Sequence, residues 1–260
     1  MLQEQTYKEW AITASQEGNL VRKKEAVTVE FPLRLQVNGR LLVNLLCTPS
    51  HLEDLVVGFL YSEGLIADGG DILDLKIYDS TAEVKVRGET VAPEGWVPWI
   101  ATGCGQNVVW SGPSRGKCPW EIKISSQLRV SHQGVTRLIQ MLQRSSVLYQ
   151  KTRGVHAAAL ATPEEIFIFR EDIGRHNAVD KIIGRVLRDG LDVEDKLLLT
   201  TGRMSSEVVI KAARLGVPLV VSRSVPSDYA IWLAENFEIT LVGFVRGSNF
   251  KIYTHNRRIV

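Results

Sequence analysis

From residue 155 onward, short apolar runs alternate with segments of helical periodicity, and that alternation restricts the fold more than any other feature of the chain. Strands are expected over 155–160, 166–169, 197–201, 217–222 and 239–245, and helices over 176–188, 205–215 and 227–237. The first two strands flank a Thr162-Pro163 turn, while the later ones are separated by helices. This predicts a three-layer α/β/α sandwich whose later strands run largely parallel. Ligands of such folds gather where strand C-termini meet helix N-termini. Polar turns fall at those places: 172–181, 201–207, 222–227 and 243–249, each with an arginine.

Three units are expected: an N-terminal arm (1–22), a small α+β domain (23–130) and the α/β domain (131–260). The arm is weakly patterned. In the small domain, strands over 27–37 and 40–46 are joined by Asn38-Gly39, a hairpin signal. A helix from His51 carries Leu52, Leu55, Val56, Phe59 and Leu60 on one face and stops at Glu63-Gly64, before strands near 72–78 and 82–86. Gly, Pro and Trp dominate 88–117, and an amphipathic helix is expected over 136–149.

Composition excludes several functions. The 260 residues are 45% hydrophobic, enough for a proper core, and a net charge of +2 announces neither nucleic acid nor membrane binding. No apolar run spans a bilayer and the N-terminus has no signal-peptide core, so a cytoplasmic protein is expected. Residues 151–260 hold 11 Arg and 5 Lys against 13 acidic residues, a preference suited to forked recognition of phosphate. Three cysteines without a C-x-x-C pair offer neither a disulfide framework nor a zinc site.

Charge is densest over 170–181, where Asp172, Arg175, His176, Asn177, Asp180 and Lys181 surround Gly174 at the start of a helix. Free N–H groups and the helix dipole suit such a place to a phosphate or carboxylate. The plainer alternative is a helix start capped by Asp172 whose other charges pair with one another. Arg175, Arg203, Arg223 and Arg246, with Ser205, Ser206, Ser222 and Ser224, would fork onto a pyrophosphate, and Phe244 or Tyr229 would stack on a base. A nucleotide-bearing ligand is therefore expected, although neither a Walker sequence nor G-x-G-x-x-G is present. Ser205-Ser206-Glu207 reads equally well as a helix cap. Among the cysteines, Cys104 lies between Gly103 and Gly105, where successive N–H groups can favour a nucleophilic thiolate able to take up a sulfur atom or acyl group. Cys47, at a strand end, reads as an inert core residue, and Cys118 as a spare or resolving thiol.

The chain resembles the formate dehydrogenase accessory sulfurtransferases of the FdhD type. The resemblance rests on Cys47-Thr48-Pro49, Gly58-Phe59-Leu60-Tyr61-Ser62-Glu63-Gly64, Gly103-Cys104-Gly105, Gly154-Val155-His156-Ala157-Ala158 and the polar turns at 172–181, 202–207, 222–226 and 243–247. It implies a protein that takes persulfide sulfur from a cysteine desulfurase on Cys104. The sulfur would pass to the molybdenum or tungsten bis-pterin guanine dinucleotide cofactor of the formate dehydrogenase catalytic subunit. Phe244, Val245, Arg246, Gly247, Ser248 and Asn249 would bind that cofactor, with GDP as a mimic. Gly202 is counted with the same site, and His156 either lines it or is a satisfied core histidine. Many family members carry C-G-x-C in the loop, whereas Asn107 stands at the second cysteine position here, so transfer must use a single thiol or recruit another. A cytidine-deaminase-like fold is also implied for the second domain. Zinc is not expected, because His156-Ala157-Ala158 lacks the H-x-E glutamate and residues 226–230 lack both cysteines of P-C-x-x-C. The competing readings are a non-covalent cofactor chaperone and, more weakly, a nucleotide hydrolase using Asp172, His176 or Glu207 as base. A symmetric homodimer is the default assembly.

Overall fold

The computed structural model describes residues 5–88 and 122–260, together with a short antiparallel pairing of β7 (Trp99–Ile100) with β8 (Val108–Val109). The chain begins with a hairpin, β1 (Tyr7–Gln16) and β2 (Asn19–Thr28), paired from Tyr7↔Thr28 to Gln16↔Asn19. It replaces the loose arm expected there. Its alternation is hard to read because Trp10, Ile12 and Ala14 share their face with Lys23 and Glu25. The strand expected over 27–37 likewise divides at Val29 and Glu30.

A four-stranded sheet follows, in the order β4-β3-β6-β5, from β3 (Phe31–Val37), β4 (Arg40–Cys47), β5 (Ile72–Tyr78) and β6 (Thr81–Val86). Asn38 and Gly39, with φ of 49° and 78°, form the predicted turn, whose left-handed backbone matches strand twist. Only β3 and β6 pair in parallel. The sheet packs on α1 (Leu52–Ser62), which buries Leu55, Val56, Phe59 and Leu60 among Leu33, Leu35 and Val84.

The helix expected over 136–149 is in fact two, α2 (His132–Ser145) and α3 (Val147–Thr152). They break at Ser146, whose hydroxyl donates to the Glu171 carboxylate instead of continuing the turn. Next come β9 (His156–Ala161), β10 (Ile166–Asp172), α4 (Arg175–Asp189), β11 (Leu197–Thr200), α5 (Ser206–Leu215), β12 (Leu219–Ser222), α6 (Asp228–Phe237), β13 (Thr240–Arg246) and β14 (Asn249–Thr254). The sheet order is β10-β9-β11-β12-β13-β14. Strands β11 to β13 are parallel, as expected, whereas β9 runs antiparallel to both of its neighbours and β14, unforeseen, closes the edge antiparallel to β13. Alternate residues feed two cores. Ala158, Leu160, Leu198 and Val220 lie with α4, α5 and α6, and Ala157, Ala159, Leu199 and Val221 lie with α2. Helices therefore cover both sheet faces, and no described helix is long and apolar enough to cross a membrane.

The two halves meet where α1 crosses α4. A Cβ on Gly58 would lie 1.8 Å from the Asp180 carbonyl oxygen, and one on Gly184 would lie 1.8 Å from that of Asp54. Both contacts are with backbone, so no side chain can yield. Gly184→Ala is expected to cost about 3 kcal/mol or more in denaturant unfolding, at the upper end for overpacked sites. An unfolding midpoint close to that of the native chain would contradict so close a crossing.

Candidate functional site

The register places the polar turns on one edge of the six-stranded sheet. His156 opens β9 opposite Asp172 at the end of β10, while Thr200 pairs with both Ala158 and Ser222. Hydrogen bonds then tie one turn to the next. Ser222 Oγ donates to the Gly202 carbonyl at 2.7 Å and accepts the Ser224 N–H at 2.9 Å. Phe244 N–H donates to the Ser224 carbonyl at 2.7 Å. Gly202 has no Cβ because one would stand 2.9 Å from Cβ of Arg175, which packs across it. Ser222 is fully buried and is spent on this latch, and Ser224 is half-buried. Arg203, Arg223, Arg246, Gly247, Ser248 and Asn249 are exposed.

Two adjoining cavities open on this edge. The larger, about 540 Å³, lies between the α2–α3 connection and the strand ends and is lined by His156, Thr201 and Arg223, among others. The smaller, about 160 Å³, is lined by Val245, Arg246 and Gly247. Arg223 and Gln143 border both, so the two form one groove. Burial, reinforced by the charges of Arg175 and His176, holds His156 below its ordinary 6.5, leaving a neutral imidazole at neutral pH. Beside the smaller cavity Phe244 adopts a left-handed backbone, φ 56°, which a bulky side chain rarely takes. Its ring is flanked by Arg246 at 4.8 Å and Lys251 at 5.2 Å.

The dense charges at 170–181 point elsewhere, because consecutive residues at the end of β10 serve three different neighbours. Arg170 pairs with Asp54 of α1 at 2.7 Å. Glu171 accepts the N–H groups of Leu148 and Tyr149 at 3.3 Å each and so caps α3. Asp172, fully buried, pairs with the equally buried Lys181 at 2.6 Å and accepts from Thr48 N at 3.1 Å and Gly174 N at 2.8 Å. Asn177 Nδ2 donates to Asp172 and to the Leu46 carbonyl. Asp180 pairs with Lys211 at 2.6 Å and accepts from Ser62 Oγ at 2.6 Å. None of Asp172, Asn177, Asp180 and Lys181 lines the groove. They join the two halves of the molecule. Asp172 and Lys181 pair within the stretch, whereas Arg170, His176 and Asp180 pair outside it, with Asp54, Glu207 and Lys211, and no side chain caps α4.

His176 is also buried, with Nε2 2.8 Å from Glu207 and 3.2 Å from Ser205 Oγ. Burial pushes the Glu207 carboxyl up, but His176, then Lys211 and Arg175, outweigh it and hold it below its ordinary 4.5. Both partners meet the same ring nitrogen, so these residues form no serine–histidine–acid relay, which needs one partner on each nitrogen. Ser205 is the residue preceding α5, and Ser206 is its first residue. Sequence reasoning missed Gln143, Tyr149, Gln150 and Arg153, which line the groove from the α2–α3 side. No motif marks them, and the break that aims α3 depends on Glu171 reaching back from another strand.

Cys104, Asn107 and Cys118 lie outside the described residues. Cys47 is fully buried against the Phe31 carbonyl, and its thiol is pushed up to about 12 by burial, with Asp172 adding and Lys181 opposing. In native protein at pH 8, iodoacetamide is expected to leave Cys47 unmodified until denaturant is added. Peptide mass mapping checks this, and labelling before unfolding would contradict the burial. No cluster of His, Cys, Asp and Glu suited to a metal ion occurs among the described residues.

Comparison with known proteins covers nearly the whole chain. Residues 28–260 match the model of the FdhD/NarQ family. The chain is 39% identical to the sulfur carrier protein FdhD of Listeria innocua over 93% of its own length and 94% of that protein. It is 41% identical to the sulfur carrier protein FdhD of Bacillus pumilus over 94% of each chain. Its fold matches that of a putative formate dehydrogenase accessory protein from Desulfotalea psychrophila with a TM-score of 0.80 and 24% identity, covering 98% of this chain and all of that one.

Proposed function

The chain belongs to the FdhD/NarQ family, and on that premise we propose that it is a sulfur carrier in the maturation of formate dehydrogenase. Cys104 is its nucleophile. The thiolate attacks the terminal sulfur of a persulfide on a cysteine desulfurase. The new S–S bond forms as the donor's breaks, the donor cysteine leaves as thiolate, and no electrons are exchanged overall. The recipient is the molybdenum or tungsten bis-pterin guanine dinucleotide, held as bound substrate on the sheet edge while the apoenzyme's catalytic subunit waits to receive it. A cytoplasmic setting and a cytidine-deaminase-like topology for the second of the two domains belong to the same proposal.

The observation that carries the binding half is the convergence of His156, Arg223 and residues 245–247 on one groove, although they lie far apart in the sequence. Exposed guanidinium groups of Arg223 and Arg246 suit a pyrophosphate, and strained backbone at Phe244 is characteristic of a ligand clamp. Arg246→Ala is expected to weaken GDP binding by about tenfold or more, since a hydrogen bond to a charged group is worth about 1.5–3 kcal/mol. Calorimetry reads this directly, and unchanged GDP affinity in both Arg246→Ala and Arg223→Ala would remove the nucleotide from this groove.

Asn107, in place of a second loop cysteine, favours one other reading, a chaperone that grips the cofactor without covalent chemistry. Such a protein keeps its activity when Cys104 is replaced. The hydrolase reading has no comparable support, because Asp172 is fully buried in its ion pair with Lys181.

A further inference from the structure

The larger cavity has a wall that the nucleotide reading does not use. Tyr149, half-buried on α3, lines it, and the Arg153 guanidinium lies over the Tyr149 ring with its carbon 5.2 Å from the ring centre. Together they make a flat surface of mixed aromatic and cationic character, of the kind on which heterocyclic bases stack. Gln143 and Gln150, with amide donors and acceptors suited to the edge of a heterocycle, line the same cavity.

The position of this surface is fixed from outside. Glu171 caps the first turn of α3 through the N–H groups of Leu148 and Tyr149. At the far end Thr28 of the N-terminal hairpin donates to Thr152 Oγ1 at 2.8 Å. Gly154, just after Arg153, has room for no Cβ, which would fall 2.8 Å from Thr28 Oγ1. A short helix held at both ends presents its aromatic residue in one place.

Size decides which part of a nucleotide goes where. Pockets that enclose small organic ligands run from about 300 to 1,000 Å³. The cavity at residues 245–247, about 160 Å³, is below that range and fits phosphate, whereas the neighbouring 540 Å³ fits a base and sugar. Arg223 borders both and can meet the phosphates where the two join. We infer that the Tyr149–Arg153 surface is the subsite for the planar heterocycle of the bound nucleotide, with its phosphates running past Arg223 to Arg246. The inference rests on the nucleotide reading of the groove and adds to it the α2–α3 wall and a direction for the ligand.

The test is calorimetric titration of the full-length protein with GDP and, separately, with inorganic pyrophosphate. Tyr149→Ala and Arg153→Ala are each expected to weaken GDP about tenfold, as loss of one stacking contact does. Tyr149→Phe keeps the ring and is expected to stay within about threefold of wild type, which also guards against misfolding of the alanine variant. Pyrophosphate affinity is expected to be unchanged by both alanine variants and lowered by Arg246→Ala. If both bind GDP like wild type while Arg246→Ala does not, the heterocycle lies elsewhere and the groove reading survives. Equal losses for GDP and pyrophosphate in Tyr149→Ala would also overturn the assignment. Wild-type protein that binds neither probe overturns the nucleotide groove itself.

Discussion

Lys181→Met is expected to destabilise the protein by about 3–5 kcal/mol, the cost of leaving a buried charge without its partner. Lys181 and Asp172 are both fully buried, 2.6 Å apart. Lys181 Nζ also donates to Thr48 Oγ1 at 2.9 Å and to the Thr48 carbonyl at 3.2 Å. Methionine matches the stem but supplies none of these donors. The Asp172 carboxylate would keep its bonds from Thr48, Gly174 and Asn177 but lose its counter-charge. Because Thr48 follows β4 and Asp172 ends β10, the damage falls on the join between the two halves of the molecule. Adding Asp172→Asn to Lys181→Met is expected to recover part of the loss by removing the stranded charge. Denaturant unfolding of the two variants measures both steps. A loss below about 1 kcal/mol for Lys181→Met would mean that the pair is not dry.

Much of the fold was legible because local chemistry and tertiary context agree. Asn38-Gly39 is a turn by backbone preference alone, and α1 and α4 show their apolar faces in their spacing. The rim of polar turns was legible too, since strand–helix alternation fixes which loops share an edge. The antiparallel sense of β9 against β11 was not, because the apolar run 155–160 carries no direction. Nor was β14 foreseen, half-exposed on the outside of the sheet.

At the site, the density of charge over 170–181 was conspicuous, but its use was hidden. Whether a charged side chain of this stretch faces a ligand or is taken up inside the protein depends in part on residues more than a hundred positions away, such as Thr48 for Asp172 or Asp54 for Arg170. The arginines divide: Arg223 and Arg246 are exposed and border the groove, whereas Arg175, which packs across Gly202, and Arg203 line neither cavity. The wall from α2 and α3 was illegible for the opposite reason. Its residues are ordinary in sequence and gain meaning only from the break at Ser146.

Replacing Cys104 with alanine is expected to abolish sulfur loading altogether, because a transferred sulfur needs a thiolate to form the new S–S bond. Of the other cysteines, Cys47 is excluded by its burial and by a thiol pushed up to about 12, which leaves almost no thiolate at neutral pH. The direct measurement is intact mass with persulfide-selective labelling after incubation with a cysteine desulfurase and cysteine, comparing wild type with Cys104→Ala. The sulfur-carrier reading predicts added sulfur on wild type, located to the Cys104 peptide, and none on the variant. Loading that persists in Cys104→Ala, or is absent from wild type that still binds GDP, would contradict it.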